Sequence, residues 1–263
     1  MRFPAITLAL FTLLAACQKP AADAPSDALS VAATAVPHAE ILEAVKPALA
    51  AQGVKLEIRV FNDYVQPDVQ VAEGKIAVNY FQTKSYLDEF NKARGTKLVT
   101  IAGIHVEPLG GYSRKWTSLA QLPDGATIAI PNDGSTSGRS LILLQKAGLI
   151  RLAPDAGILA TPKDIVANPH NYRFRQLEAA TLPRVLDQVD LGLINTNYAL
   201  EAKLSPKQAL VIEDKDSPYV NYVVGPESAK TDPRVQKLVA ALRSPATRSF
   251  IESKYQGAVI PAL

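Results

Sequence analysis

Apolar positions along this chain recur with two spacings, and the switch between them marks its elements. Ile41, Leu42, Val45 and Leu49 share one stripe of a helix over 38–52, kinked at Pro47 and stopped by Gly53. A short strand over 30–34 precedes it, and residues 56–61 alternate apolar and polar like a half-buried strand. Residues 76–81 repeat the strand pattern, and 86–93 read as a helix running to Gly95. The apolar run 98–113 is too long for one strand. It is broken at Glu107-Pro108 and Gly110-Gly111, which suits a chain leaving one sheet for another near 108–111. Beyond that break come a strand over 127–130, a loop over 131–137, a helix over 138–147 ended by Gly148, a strand over 173–177, a helix over 182–189 and a buried strand over 191–194. Residues 218–224 read as a return crossing, and helices beginning at Asp232 and Pro245 finish the chain. Strands alternating with helices predict an α/β protein in two lobes. The first is expected over 30–109, with 224–263 returning to it, and the second over 110–223.

The start of the chain has a different pattern. From Ala5 to Ala16 no residue is charged, a run too short to span a bilayer, and Leu14-Ala15-Ala16 places small residues before Cys17. This predicts a lipoprotein signal peptide over 1–16, with Cys17 as the lipidated first residue of the mature chain. Several acyl chains, each methylene worth about 0.8 kcal/mol, make a stable anchor, so the globular part is expected outside the cytoplasm, in the bacterial cell envelope. Residues 17–29, rich in Ala, Pro, Asp and Ser, are expected to be a flexible tether.

Charge and cysteine content narrow the chemistry. Loss of residues 1–16 removes only Arg2 of the 28 basic residues, set against 25 acidic ones, so the mature chain has almost no net charge and no electrostatic footprint for nucleic acid. Once Cys17 is acylated no thiol remains, which excludes disulfides, thiolate metal sites and a cysteine nucleophile.

The loop over 132–139 is the sharpest local signal. It follows a strand and opens a helix, so its backbone N–H groups and the helix dipole suit an anion, and Arg139 adds a two-pronged clamp for a carboxylate. A capped helix whose arginine pairs with a surface carboxylate fits the same residues. Neither phosphate-loop glycine pattern is present. Gly134-Ser-Thr-Ser-Gly138 has Thr136 where a serine nucleophile elbow needs serine, and His38, His105 and His170 lie at neither triad nor metal-ligand spacing. Catalysis, a bound metal and a cofactor are therefore not expected. Tyr64, Tyr80, Phe81 and Tyr86 serve either as core or as an aromatic wall for a solute. Asn195, Asn197 and Asn221, after or within apolar strands, either cap turns or meet a ligand's ammonium and carboxylate.

These pieces, in this order, resemble the methionine-binding lipoproteins of the NlpA/MetQ family, solute receptors of ABC importers. The likeness is carried by Pro37-His-Ala-Glu-Ile-Leu42, Asp63-Tyr64, Asn79-Tyr-Phe-Gln82 with Tyr86-Leu-Asp88, Gly111-Tyr-Ser113, Pro131-Asn-Asp133 with Gly138-Arg-Ser-Leu141, Leu182-Pro-Arg184, Ile194-Asn-Thr-Asn-Tyr-Ala199 and Glu213-Asp-Lys with Ser217-Pro-Tyr-Val-Asn221. The resemblance implies a two-lobe periplasmic-binding-protein-like fold of type II with the ligand in the cleft between lobes. It also implies an amino-acid ligand with methionine foremost, a permease and its ATPase as partners, a monomeric receptor and no enzymatic activity. Carried over, it makes Arg139 the partner of the ligand carboxylate, gives the amino and carboxylate groups to Asn195 and Asn221 with Asn197 beside them, and walls the side-chain pocket with Tyr64, Phe81 and Tyr86. Where the family usually reads Phe-Gln-His-Lys-Pro-Tyr, this chain has Thr83 for the pocket histidine and Ser85 for the proline, and Thr136-Ser137 replaces an asparagine and an apolar residue. The specificity wall is thus smaller and more hydroxylated. Another amino acid, a methionine derivative or a dipeptide remains an alternative ligand, and a surface interaction protein an alternative role.

Overall fold

The computed structural model describes residues 27–262. The expected signal peptide, Cys17 and the tether as far as residue 26 lie outside the described residues.

Along the chain run β1 (Ala28–Thr34), α1 (Glu40–Ala50), β2 (Lys55–Phe61), α2 (Val65–Ala72), β3 (Val78–Thr83), α3 (Lys84–Arg94), β4 (Val99–Val106), β5 (Gly110–Tyr112), β6 (Thr127–Pro131), α4 (Gly134–Lys146), β7 (Arg151–Leu152), β8 (Ile165–Ala167), β9 (Arg173–Leu177), β10 (Leu191–Ile194), α5 (Thr196–Glu201), β11 (Val211–Ile212), β12 (Val220–Gly225), α6 (Pro233–Leu242), α7 (Pro245–Tyr255) and β13 (Ile260–Pro261). Six strands form one sheet in the order β13-β4-β12-β3-β1-β2, and five form another in the order β11-β5-β10-β6-β9. A ribbon of β7 and β8 stands apart.

The chain passes from the first sheet to the second between β4 and β5 and returns between β11 and β12. Each lobe has its own core. Leu29, Val31, Ile41, Leu42, Leu49, Val78 and Leu238 pack the first, and Ile128, Ile130, Leu141, Leu144, Leu191 and Leu193 the second. The helical stripe of α1 is the one its spacing predicts, and Pro47 lies inside that helix.

Several expected boundaries move. The first strand begins at Ala28, pairing with Lys55, and Leu29 is fully buried, so the tether ends before residue 28; burial of Leu29 outweighs the polar composition around it. Residues 220–223 belong to the first sheet, in β12, and not to the second lobe. The helix expected over 182–189 is a 3-10 segment, Ala179–Val185, with Pro183 inside, which cannot donate the hydrogen bond an α-helix needs there. The helix expected from 138 begins at Gly134, because the Asp133 carboxylate caps it by accepting from the Thr136 N–H. α2 and α5 have no counterpart in the sequence pattern.

Parallel pairing of β1 with β2 and β3, and of β6 with β9 and β10, sends the following segments outward at the same strand ends. Thr83, the α4 start and Asn195 all follow such ends, the position where α/β sheets bind ligands.

Candidate functional site: a cleft between the lobes

Between the lobes lies a small cavity of about 30 Å³. Its lining includes Tyr64, Phe81, Thr83, Tyr86, Arg139, Asn195, Asn197 and Asn221, so all eight residues singled out from the sequence meet there, together with Gln82, Ser85, Glu107, Ser135, Thr136 and Thr196. The first lobe contributes the end of β3, the start of α3 and β12. The second contributes α4 and the start of α5, and Glu107 sits on the outgoing crossing.

Tyr64, Phe81 and Tyr86 form an aromatic wall. Tyr64 lies 5.8 Å from Phe81 and 5.6 Å from Tyr86, with Phe81 and Tyr86 5.9 Å apart, centroid to centroid. Burial drives the Tyr64 and Tyr86 phenols far above their ordinary range, so they remain neutral donors. The Tyr64 hydroxyl donates to Asn197 Oδ1 at 2.6 Å, tying the lobes together. Thr83 caps α3, and its hydroxyl lies 3.1 Å from that of Ser85, so two hydroxyls stand on this wall. Tyr80, the fourth aromatic of the sequence cluster, is fully buried in the first core and is no part of the lining.

Arg139 reaches the cavity, but its clamp is already filled. Its Nε donates to Glu213 Oε1 at 2.8 Å, and its Nη2 to both Glu213 Oε2 at 2.5 Å and the Glu107 backbone oxygen at 2.7 Å. The Tyr219 ring covers the guanidinium, its centroid 4.2 Å from Cζ. The two-pronged edge expected to hold a ligand carboxylate thus holds Glu213. The helix N-terminus expected to bind an anion is likewise taken by the protein's own carboxylates. Ser135 N–H donates to Glu89 and Thr136 N–H to Asp133. The hydroxyls of the elbow-like segment do not meet a histidine; Ser135 donates to Asp133, and Ser137 accepts from Gln176.

Behind Asn221 lies a buried network that sequence spacing did not reveal. His38 Nε2 is 3.2 Å from both Asn221 Oδ1 and Glu107 Oε1, and His105 Nε2 is 2.7 Å from Glu107 Oε1. Because Asn221 Oδ1 only accepts, the His38 proton belongs on Nε2, and Nδ1 accepts from the Thr34 hydroxyl at 2.7 Å. The Tyr80 hydroxyl pairs with His105 Nδ1 at 2.5 Å. Burial lowers His38 to about 4, partly offset by Glu107, and lowers His105 to about 3, so both rings are neutral at pH 7. Burial raises the Glu107 carboxyl, while His38, Arg139 and the Asn197 backbone N–H pull it down. Ligand atoms of His38, His105 and Glu107 lie within 4.8 Å of one another, a spacing a metal could bridge, yet every ring nitrogen of the pair already has a protein hydrogen-bond partner. Residues 38, 105 and 107 are far apart or out of pattern in sequence, and only sheet pairing unites them. Glu213 likewise stands 74 positions from Arg139, so nothing local in the sequence signals their pairing.

Three buried side-chain atoms among the described residues have no hydrogen-bond partner: Asn195 Oδ1, Gln82 Oε1 and Asp68 Oδ2. Asn195 stands at the N-terminus of α5, but its side chain makes no cap. Gln82 spends its amide hydrogens on Asp68 Oδ1 at 2.6 Å and Asn79 Oδ1 at 2.9 Å, so its oxygen is left over.

Comparison with known proteins accords with this architecture. The family model described as NlpA lipoprotein matches residues 29–263. The D-methionine-binding lipoprotein MetQ of Salmonella typhimurium is 44% identical over 220 residues, covering 82% of this chain and 81% of the relative. A nutrient binding protein from Burkholderia cenocepacia, whose structure is bound to methionine, superposes with a TM-score of 0.87 at 40% identity, covering 89% of this chain and 100% of that one. Lipoprotein Tp32 from Treponema pallidum superposes with a TM-score of 0.86 at 38% identity over 89% of this chain and 99% of its own. A family match spanning both lobes and the cleft they enclose establishes that the chain belongs to the NlpA lipoprotein family and is a two-lobe solute receptor rather than an enzyme.

Proposed function

We propose that this chain is the extracytoplasmic receptor of an ABC importer for methionine, working as a monomer held at the membrane by acyl chains on Cys17. A permease and its ATPase are its partners. The observation that carries the reading is the interlobe cavity whose lining brings together an aromatic wall, Arg139 and Asn195 with its unpaired Oδ1. In this reading the ligand's apolar side chain lies against Tyr64, Phe81 and Tyr86, where burial of a methionine side chain is worth about 2–3 kcal/mol. Asn195 Oδ1 accepts from the ammonium, while Arg139 Nη1 and the Asn221 amide donate to the carboxylate. In this reading the lobes close about the two crossings, and the closed shape is what the permease recognises. The relatives' names, including a D-methionine-binding lipoprotein, and a neighbour bound to methionine support the choice of ligand.

The facing hydroxyls of Thr83 and Ser85 favour a second reading, a more polar methionine derivative, within the same receptor role. Titration calorimetry on the chain from residue 18 onward, unfolded and refolded to strip carried ligand, separates the two. The panel holds both methionine enantiomers, methionine sulfoxide and the other amino acids. Methionine binding most tightly supports the first reading and the sulfoxide the second. No binding by any amino acid overturns both.

A further inference from the structure

We propose that His38, His105 and Glu107 form a binding site for a divalent transition-metal ion of the zinc type, completed by Asn221 Oδ1. The proposal stands apart from the receptor reading and does not depend on it.

The donor atoms already converge. Ligand atoms of the three residues lie within 4.8 Å of one another, and all three side chains are buried. Glu107 Oε1 is 2.7 Å from His105 Nε2 and 3.2 Å from His38 Nε2, and Asn221 Oδ1 is the other partner of His38 Nε2, also at 3.2 Å. Ligand atoms around a four-coordinate zinc, with bonds of about 2.0–2.1 Å, stand about 3.3 Å apart, so these pairs need to separate by only about 0.1–0.6 Å. The hydrogen bonds that fill both Nε2 atoms end on other members of the set. An ion at their centre therefore replaces those bonds without stranding a partner elsewhere.

The groups behind the rings are in place as well. His38 Nδ1 lies 2.7 Å from the Thr34 hydroxyl, and His105 Nδ1 pairs with the Tyr80 hydroxyl. A hydroxyl accepts as well as donates, so each ring can keep its one proton on Nδ1, give it to the hydroxyl and turn the Nε2 lone pair toward a metal. Both rings are neutral at pH 7, the form that ligates. Two imidazoles with two oxygens suit zinc and its neighbours better than calcium or magnesium, which take oxygen alone. Glu107 and Asn221 line the cavity, which gives an ion its way in.

The positions of the ligands say what the ion does. His38 precedes α1, His105 lies near the end of β4, Glu107 opens the outgoing crossing, and Asn221 lies in β12 just past the return crossing. With all four ligands supplied by protein the site is closed, as structural zinc sites are, and it pins the lobe ends of both crossings to the first sheet.

The test uses the full chain in detergent micelles, stripped by dialysis against a chelator that is then removed. It is titrated with Zn²⁺ against a chromophoric competitor and, separately, with Co²⁺. One Zn²⁺ per chain is expected, with Kd below about 1 µM, together with the intense visible absorption of four-coordinate Co²⁺. Zn²⁺ at about 100 times Kd is expected to raise the unfolding midpoint by about 5 °C or more. His105→Gln, its folding checked by circular dichroism, is expected to weaken Zn²⁺ at least about 30-fold. His170→Ala, which removes the exposed histidine paired with Asp124, is expected to leave the affinity unchanged. Absence of the Co²⁺ absorption overturns the proposal without any variant, as does a wild-type Kd above about 100 µM. A folded His105→Gln protein that binds Zn²⁺ as tightly as wild type overturns it too, and so does loss of the binding in His170→Ala.

Discussion

The backbone N–H of Ser135, in the first turn of α4, donates to Glu89 Oε2 of α3 at 2.8 Å, across the mouth of the cleft. A Cβ at the preceding Gly134 would stand 2.2 Å from Glu89 Oε1, so glycine is what admits this carboxylate to the positive end of the helix. Glu89 is not among the residues lining the cavity. In the receptor reading proposed above, this contact between α3 and α4 stabilises the closed arrangement of the lobes without touching ligand. Glu89→Ala is expected to weaken every ligand by a similar factor, about 5- to 30-fold, the worth of a charge-assisted bond, while their ranking holds. Calorimetry on the ligand panel checks this, and a changed ranking would place Glu89 in direct contact with ligand.

Arg139 and Glu213 form a pair with side chains only 7% and 11% exposed. Arg139→Ala leaves Glu213 buried without its cation, with an expected loss of about 3–5 kcal/mol in unfolding free energy. Adding Glu213→Ala is expected to restore at least half of that loss in urea unfolding. If the double variant is no more stable than the single one, the cost lies elsewhere than in the stranded charge.

Thr83 faces the cavity beside the aromatic wall. Thr83→His, which removes a hydroxyl and enlarges the side chain there, is expected to reorder the ligand ranking in calorimetry, unlike Glu89→Ala. An unchanged order would mean that position 83 does not meet the ligand's side chain.

Asp68 is fully buried and accepts from Asn79 Nδ2 at 2.8 Å and Gln82 Nε2 at 2.6 Å, and burial raises its carboxyl to about 7 despite those bonds. Between the unfolded value near 4 and that folded value the native state holds a proton the unfolded chain has lost, so this group makes the protein less stable as pH rises. Asp68→Asn removes that dependence. Relative to wild type it is expected to gain about 2–4 kcal/mol between pH 4 and pH 8 in urea unfolding. A constant offset between the two pH values would refute this. His38 and His105, lowered by burial, act in the opposite sense, costing stability as pH falls below about 6.5.

Gly138 sits where a Cβ would lie 1.9 Å from the Ile158 carbonyl oxygen. Because the obstacle is backbone, Gly138→Ala must push α4 and the segment 152–165 apart. A loss of about 2 kcal/mol or more in unfolding free energy is expected. A neutral result would show that this segment yields freely.

Much of this molecule was legible along the chain because local spacing is enough to write it. The stripe of Ile41, Leu42, Val45 and Leu49 gives α1, and the break at Glu107-Pro108 falls in the segment between the two sheets. Pattern failed where tertiary contacts define the element. α5 packs its buried residues under the cleft in only 6 residues, too few for a helical period to show, and α2 spans only 8. For the cleft itself, resemblance gathered Tyr64, Phe81, Thr83, Tyr86, Arg139 and the three asparagines, and the structure brings them around one cavity. Their partners were not legible. Glu213 is separated from Arg139 by 74 positions, and His38 from Asn221 by 183.

The sequence by itself thus determined most of the longer strands and helices, that two lobes exist, and that a guanidinium, amides and aromatic rings are available to a ligand, since these follow from periodicity and residue type. Only the tertiary structure decided how those groups are committed: Arg139 to Glu213, Asn221 to His38, the α4 terminus to Glu89, with Asn195 Oδ1 left without a donor. The reason is that a hydrogen bond is a matter of distance and direction in space, and a buried polar atom accepts whichever partner the packing of two sheets brings within about 3 Å, however far apart the two stand in the chain.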